Sequence, residues 1–366
     1  MGVPMLDIAT ENQAVAEAVR QRIDAVIETN QFILGKTVAE LELALAKRCG
    51  VDNAVGVSSG TDALLMALMA LEIGPGDEVI VPPFTFFATA GAVHRVGATP
   101  VFVDIDPATF NIDPAAIEAA ITDKTKAIIP VHLYGQCADM TAIMKIAEAH
   151  GLYVIEDAAQ AIGAKDHDRP AGSIGHVGCL SFYPTKNLGG FGDSGAVLTQ
   201  DAELAQKMRH IRLHGQTDEY RHQYVGGNFR IDGLQAAALI VKLEHLDAYE
   251  AGRRAAAERY QALLSEVPLT LPAAAEGQYH VYNQYTVRSE RRDELCAHLK
   301  ANEIGHKVFY PLALHLQPCF AYLGYQPGRL PVAETATAEV VSLPMFPTLS
   351  AEQQERVAAV IDEFYQ

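Results

Sequence analysis

Two ionisable residues stand where predicted strands end, and both could do chemistry there. Lys186 follows an apolar strand predicted over residues 178–182, and two glycines come shortly after it. A lysine shielded from water has a lowered pKa and becomes a nucleophile that can form a Schiff base. Asp157 directly follows a strand predicted over residues 153–156, and small residues come after it. This carboxylate could hold a protonated ring nitrogen, or it could simply cap the next helix.

A third candidate is the segment Ser58-Ser59-Gly60-Thr61, which follows a strand predicted over residues 54–57 and begins a helix. Glycine lets a phosphate approach the backbone, and the free N–H groups of a helix start can bind it, although the segment could also be an ordinary cap. Ligands of open α/β sheets bind beyond the carboxyl ends of the strands. The three features therefore favour one site, suited to the ring, aldehyde and phosphate of pyridoxal 5'-phosphate (PLP).

A glycine motif close to Lys186 has a different meaning. Residues 190–195 match the pattern G-x-G-x-x-G, which in dinucleotide-binding proteins follows a strand and opens a helix. Here the glycines lead into the strand-like run of residues 196–199. The match is therefore coincidental, and a Rossmann dehydrogenase is excluded.

The elements that must position these residues alternate along the first two-thirds of the chain. Helical spacing is found at residues 61–71 and 140–150, and the pattern Thr37-x-x-Glu40 predicts a capping box on a helix that ends near Gly50. The predicted strands are residues 54–57, 78–81, 100–103, 127–131, 153–156, 178–182 and 196–199. Buried strands separated by helices predict an α/β fold with a largely parallel, doubly wound sheet.

A second, smaller unit is predicted after a long helix over residues 232–265. Pro268 and Pro272 break the chain there, and a strand at 282–288 and helices at 293–302 and 351–365 follow. We therefore expect a large α/β domain that binds the cofactor, residues 1–235. The linking helix and a small C-terminal α+β domain are expected to make up residues 236–366.

Composition narrows the choice of partners and compartment. The 366 residues carry 28 Lys and Arg against 45 Asp and Glu, a formal net charge of -17, which makes nucleic acid an improbable partner. The five cysteines are scattered and odd in number, so we expect free thiols in a reduced compartment and no metal site. No secretory pattern opens the sequence, and no apolar run approaches the ~20 residues that span a bilayer. These observations predict a cytoplasmic protein without a membrane partner.

Six ordered motifs across nearly the whole chain resemble the nucleotide-sugar aminotransferases of the DegT/DnrJ/EryC1/StrS family. They are residues 32–35, 59–64, 156–160, 186–189, 228–232 and 314–317. The resemblance implies a fold-type-I PLP enzyme with a seven-stranded, mostly parallel sheet. It further implies a homodimer whose active sites are shared between subunits.

The resemblance also implies roles for individual residues. Lys186 would form the Schiff base with the cofactor, and Asp157 would pair with the ring nitrogen. Gln160 would lie beside the ring hydroxyl, and Phe86 would stack on the ring. The phosphate would be held by Gly60, Thr61 and Ser181, and Asn228 would reach it from the partner subunit. In binding the substrate, Arg230 would lie near the nucleotide and Asn283, Tyr310 and His315 would line the sugar pocket. Tyr310 and His315 could equally be ordinary core residues.

The implied reaction moves an amino group from L-glutamate to C3 of a nucleotide-linked 3-keto sugar. Residues 186–193, 282–286 and 310–317 resemble enzymes that use a UDP-2-acetamido-3-keto-hexose, with Arg230 and His315 as candidate donors to the diphosphate. A dTDP-3-keto-6-deoxyhexose 3-aminotransferase and a cyclitol aminotransferase are the alternatives. Related dehydratases carry histidine in place of the lysine, and a non-catalytic regulator of this fold would have lost the lysine or the aspartate. The presence of Lys186 and Asp157 argues against both.

Overall fold

The computed structural model describes residues 2–366, and its main feature is a seven-stranded sheet. The strands, in chain order, are β1 (Asn53–Val57), β2 (Glu78–Val81), β3 (Thr99–Phe102), β4 (Thr125–Ile128), β5 (Tyr153–Asp157), β6 (Lys165–Asp166), β7 (Arg169–Pro170), β8 (Val177–Ser181), β9 (Gly195–Thr199), β10 (Gln216–Asp218), β11 (Arg221–His222), β12 (Gln278–Tyr279), β13 (Tyr285–Arg288) and β14 (Val340–Leu343). The order in the large sheet is β1-β9-β8-β5-β4-β2-β3. Strand β9 runs antiparallel to both of its neighbours, and the other pairs are parallel.

Helices cover both faces of this sheet. They are α1 (Ile8–Thr29), α2 (Lys36–Cys49), α3 (Gly60–Ala70), α4 (Ala88–Arg95), α5 (Pro114–Ile117), α6 (Met140–His150), α7 (Ala202–Ile211), α8 (Gly233–Glu244), α9 (Leu246–Leu263), α10 (Arg292–Ala301), α11 (Pro331–Glu339) and α12 (Ala351–Tyr365). No helix within residues 2–366 has both the length and the apolar character needed to cross a bilayer.

The strands of the large sheet are mostly apolar, and the central ones, such as β8 and β9, are buried on both sides. In β9, Val197 belongs to the core that includes α3, whereas Ala196 and Leu198 face the core built with α2 and α8. Successive side chains of a strand point to opposite faces, so such a strand needs apolar residues at every position. All seven predicted strands belong to this sheet, and the predicted α/β fold class is confirmed.

Two helix predictions need correction. Helix α2 ends at Cys49 before a left-handed Gly50, as expected, but its N-cap is Gly35 without a side-chain cap. The predicted capping box is therefore wrong, and the carboxylate of Glu40 instead pairs with Arg22 at 2.8 Å. The long helix predicted over residues 232–265 is two helices, because His245 caps the end of α8 before α9 begins.

The C-terminal third of the chain has a core of its own. Tyr260 of α9 packs there with Tyr285 of the β13–β14 pair and with Ile361 of α12, and all three side chains are fully buried. Helix α8 instead packs on α1, where Ala238 shares a small cluster with Val15. The division of the chain between residues 235 and 236 remains a prediction.

Candidate active site

A cavity of about 460 Å³ opens at the carboxyl ends of β5 and β8, and most of the predicted site residues line it. Strands β5 and β8 are parallel neighbours with Asp157 opposite Cys179, so the residues that follow them emerge at one edge of the sheet. The predicted residues that line the cavity are Gly60, Thr61, Phe86, Asp157, Gln160, Ser181, Lys186 and Tyr310. The sheet thus brings three separate sequence motifs into one site.

Asp157 is a buried carboxylate held by two hydrogen bonds. Thr89 Oγ1 donates to its Oδ2 at 2.8 Å, and the backbone N–H of Ala159 donates to its Oδ1 at 3.2 Å. Burial raises the pKa of Asp157, while these two bonds and the nearby charge of Lys186 oppose the increase. An ionised carboxylate in this position would strongly favour a protonated partner, such as a ring nitrogen.

Lys186 lies in a tight loop between β8 and β9. Its backbone N–H donates to the carbonyl of Tyr183 at 2.8 Å, and a Cβ on Gly189 would lie 2.3 Å from the carbonyl oxygen of Pro184. Burial lowers the pKa of Lys186 to about 8, although the charge of Asp157 acts in the opposite direction. A substantial fraction of this amine is therefore neutral near pH 7–8, as a nucleophile or proton acceptor must be.

The start of α3 forms a recess beside Ser181. Ser59 caps the helix by accepting from the N–H of Asp62 at 3.0 Å, and the next two residues, Gly60 and Thr61, line the cavity. A Cβ on Gly60 would lie 2.6 Å from the Cβ of Ser181, so the close approach of these two segments requires glycine. The first N–H groups of a helix have no partner within it and attract anions. This recess fits a phosphate group.

The wall of the cavity also presents aromatic rings and the side-chain amide of Gln160. Gln160 accepts from the backbone N–H of Tyr134 at 2.7 Å and donates to the hydroxyl of Tyr310 at 3.1 Å. The ring of Phe86 is 59% exposed and its centroid lies 6.5 Å from that of Tyr310. Phe86 therefore offers a free aromatic face to a planar ring in the cavity.

Four of the predicted residues do not line the cavity of the single chain. Asn228 is exposed and pairs in a backbone bridge with Leu213, whereas Arg230 bridges to Val57. The buried side chain of Asn283 donates to Asn187 Oδ1 at 2.9 Å. His315, 1% exposed, lies against Glu334 with 3.2 Å between Nε2 and Oε1. A role for Asn228 at the site of a second subunit, and the substrate-binding roles of the other three, remain predictions.

Other residues contribute to the site although the sequence did not draw attention to them. The cavity is also lined by Thr85, Asp193, Ser194 and Gln284, and Thr89 reaches Asp157 from within α4. Thr85 and Thr89 are four residues apart, and their hydroxyl oxygens are 3.2 Å apart. No local pattern could have identified them, because Thr85 precedes α4 and only Thr89 lies within it.

Glu156, which precedes Asp157 in β5, fixes the position of this strand through buried hydrogen bonds. This fully buried carboxylate accepts from the N–H groups of Gly172, Ile174 and Gly175 at 2.8, 2.7 and 2.6 Å. His132 lies 2.8 Å away through Nε2, and its Nδ1 accepts from the N–H of Ala138. The Nε2 atom therefore carries the proton and donates to Glu156. The anchor fixes β5 below the cavity.

Comparison with known proteins gives matches that cover nearly the whole chain. The model of the DegT/DnrJ/EryC1/StrS aminotransferase family matches residues 13–362. A pleiotropic regulatory protein of Geobacillus stearothermophilus is 53% identical, with 100% of this chain and 99% of that protein covered. A UDP-N-acetyl-3-dehydro-alpha-D-glucosamine 3-aminotransferase of Acidithiobacillus ferrooxidans is 49% identical, with 98% and 97% covered. A dTDP-3-amino-3,4,6-trideoxy-alpha-D-glucose transaminase of Streptomyces venezuelae is 43% identical, with 99% and 96% covered.

Solved structures agree with these relatives. The crystal structure of S. venezuelae DesV in complex with a ketimine intermediate superimposes with a TM-score of 0.97 at 43% identity, and 100% of this chain and 99% of that chain are covered. NtdA from Bacillus subtilis, solved with bound cofactor PMP, gives a TM-score of 0.92 at 34% identity, with 100% and 85% covered.

Proposed function

The chain belongs to the DegT/DnrJ/EryC1/StrS aminotransferase family, and we propose that it transfers an amino group from L-glutamate to C3 of a nucleotide-linked 3-keto sugar. It is a PLP-dependent sugar aminotransferase. The observation that carries the proposal is the cavity itself, which joins Lys186, Asp157 and the recess at the start of α3. The choice of C3 is supported by the Acidithiobacillus and Streptomyces relatives, whose names both specify a 3-amino product or a 3-aminotransferase.

The residues of the cavity suit the parts of the cofactor. The start of α3 and Ser181 would hold its phosphate, Asp157 its ring nitrogen and Phe86 the face of its ring, with Gln160 at the ring edge. When bound, PLP supplies an electron sink for negative charge at the carbon that loses its proton.

Lys186 is the group that would move the proton. With a pKa of about 8, its Nζ is able to accept a proton from a carbon acid at neutral pH and to return it at an adjacent position. The ionised form of Asp157 would hold the ring nitrogen in its protonated form. Phe86 and Tyr310 line the site with aromatic surface.

The sugar we propose is a UDP-2-acetamido-3-keto-hexose. The 49% identity to the Acidithiobacillus enzyme supports it. A dTDP-3-keto-6-deoxyhexose is the second candidate, with support from the Streptomyces relative. A cyclitol substrate has no comparable support. Arg230 and His315 are the candidate donors for the diphosphate, because Arg230 Nε and His315 Nδ1 are both buried without a partner among residues 2–366.

The assay that separates these sugars runs the reaction backwards. Each 3-amino nucleotide sugar is supplied to the holoenzyme with 2-oxoglutarate, and the release of glutamate is followed. We expect turnover with the UDP-2-acetamido sugar. Turnover with the dTDP sugar alone would refute the proposed nucleotide sugar, and turnover with a 4-amino sugar alone would also refute the assignment to C3.

A regulatory function is the competing proposal, because the Geobacillus relative bears the name of a regulatory protein. The proximity of Lys186 and Asp157 in one cavity supports catalysis instead. Protein incubated with PLP and then freed of unbound cofactor should absorb visible light and turn over glutamate. Colourless, inactive protein would favour the regulatory alternative.

We further propose a cytoplasmic homodimer with shared sites, supported by free cysteines and by the exposed Asn228. Asn228 would complete the phosphate site of the partner subunit. Mixing inactive Lys186→Ala chains with inactive Asn228→Ala chains should then restore part of the activity, since each mixed dimer contains one intact site. An active monomer in sedimentation experiments would contradict the proposal.

A further inference from the structure

Gln284 is a polar residue of the cavity wall, and its side-chain oxygen finds no partner within the described chain. It lines the cavity beside Phe309 and Tyr310. Its side-chain oxygen is buried and has no hydrogen-bond partner among residues 2–366. A buried acceptor without a partner costs free energy, and such atoms in native proteins usually indicate a missing ligand or water. The cavity supplies the space for such a ligand.

The backbone around Gln284 is fixed, so the side chain is presented from a rigid support. The N–H groups of Asn283 and Gln284 both donate to the carbonyl of Tyr134, at 2.8 and 3.4 Å. Arg253, itself buried, donates through Nη1 to the carbonyls of Tyr282 and Asn283 at 3.2 and 3.3 Å. Binding groups held in this way lose little entropy when a ligand arrives.

Two other polar side chains of the cavity already have partners. Asp157 is bonded to Thr89, and Gln160 is bonded to Tyr134 and Tyr310. Ser194 Oγ also lacks a partner in the described part of the chain, but a hydroxyl can both donate and accept and is therefore less selective for its ligand. The carboxamide oxygen of Gln284 only accepts. Its ligand must therefore present an N–H or O–H group.

We propose that Gln284 determines sugar specificity by accepting a hydrogen bond from the N–H of a 2-acetamido group. This inference rests on the proposed function, in which C2 adjoins the reacting C3. The 2-acetamido N–H is one of the donors next to the reacting C3, the other being a hydroxyl at C4 where the sugar carries one, and it would meet a cavity wall that offers an unpaired acceptor. Gln284, next to the buried Asn283, would then be the residue that distinguishes one sugar from another.

The test compares two half-reactions of the holoenzyme in the wild type and in three variants. Gln284→Met keeps the length of the side chain and removes the acceptor, whereas Gln284→Glu keeps an acceptor. Gln278→Met is the matched control, because Gln278 Oε1 is also buried without a partner among residues 2–366 but lies outside the cavity. The sugar half-reaction uses a UDP-3-amino-2-acetamido sugar and its 2-deoxy analogue, and the glutamate half-reaction is followed by absorbance without any sugar.

We expect Gln284→Met to lower kcat/KM for the 2-acetamido sugar roughly ten- to a hundredfold, the usual effect of one such bond. The glutamate half-reaction and the activity on the 2-deoxy analogue should stay within about threefold of the wild type. Gln284→Glu should retain more activity on the acetamido sugar than Gln284→Met. Gln278→Met should show no selective loss.

Equal losses in both half-reactions, or with both sugars, would overturn the inference, because Gln284 would then act on the cofactor site or on the fold. An unchanged Gln284→Met variant in an enzyme that uses the acetamido sugar would overturn it while leaving the proposed function intact. A wild-type enzyme that turns over dTDP sugars and no 2-acetamido sugar would overturn the proposed substrate and this inference together.

Discussion

The hydrogen bond from Thr89 to Asp157 offers a sharp test of how the site keeps its carboxylate ionised. Thr89 is fully buried, and its hydroxyl lies 2.8 Å from Asp157 Oδ2. Replacing Thr89 with valine removes this donor and almost preserves the volume of the side chain. A hydrogen bond to a charged group contributes about 1.5–3 kcal/mol. Its loss should raise the pKa of Asp157 further.

The direction of the effect on activity follows from the form of Asp157 that works. Burial already raises the pKa of this carboxyl, and the Thr89 bond opposes the increase. Without that bond, the ionised form is present only at higher pH. We therefore expect the acid limb of the pH–rate profile to move upward in Thr89→Val. The rate at neutral pH should fall roughly ten- to a hundredfold.

The assay is the pH dependence of the glutamate half-reaction of the holoenzyme. Thr89→Ser keeps the hydroxyl and should behave like the wild type. Thr85→Val removes the hydroxyl that lies 3.2 Å from Thr89 Oγ1, one step further from the carboxylate, and should have a smaller effect. A Thr89→Val enzyme with the wild-type rate and acid limb would refute the reasoning, because Ala159 and Lys186 would then suffice to stabilise the charge.

Three other substitutions probe separate parts of the site. The Lys186→Ala variant should lose multiple turnover but should still bind PLP in equilibrium dialysis, because the phosphate recess is separate from the amine. Substantial turnover by this variant would refute the role of Lys186. Gly60→Ala places a Cβ 2.6 Å from the Cβ of Ser181, so thermal unfolding should show a loss of about 1–3 kcal/mol and a smaller stabilisation by added PLP. Glu156→Gln removes the charge that accepts three backbone N–H groups and His132, and urea unfolding should show a loss of about 3 kcal/mol. A Glu156→Gln protein as stable as the wild type would show that the anchor of β5 is dispensable.

The sheet could be predicted from the sequence because its central strands are buried on both sides. Strand β8, for example, is apolar at nearly every position, with Cys179 facing one core and Leu180 the other. Short runs of this kind, bounded by turn residues, are typical of buried strands. Asp157 and Lys186 could be predicted for the same reason, since each is a charged residue at the end of an apolar run.

The predictions from the sequence were wrong where contacts between distant residues determine the local structure. The strand expected from residue 282 begins at Tyr285, because Tyr282 takes a left-handed conformation with φ 46° and its neighbours bond to Tyr134. That local geometry buries Asn283 and brings Gln284 to the cavity wall. Neither the conformation of Tyr282 nor the distant Tyr134 can be found in the local pattern. Positions relative to a partner subunit lie beyond such patterns altogether.

The antiparallel strand β9 has a consequence for how the protein is made. The edge strand β1 has β9 as its sole neighbour in the sheet, with Asn53 opposite Thr199, so its pairing waits until the chain beyond the lysine loop has been synthesised. Contacts this distant along the chain slow folding, and an unpaired strand edge invites aggregation. On the ribosome, β1 would therefore remain unpaired while most strands of the large sheet are translated. The phosphate recess and the lysine come together only when that last strand is inserted.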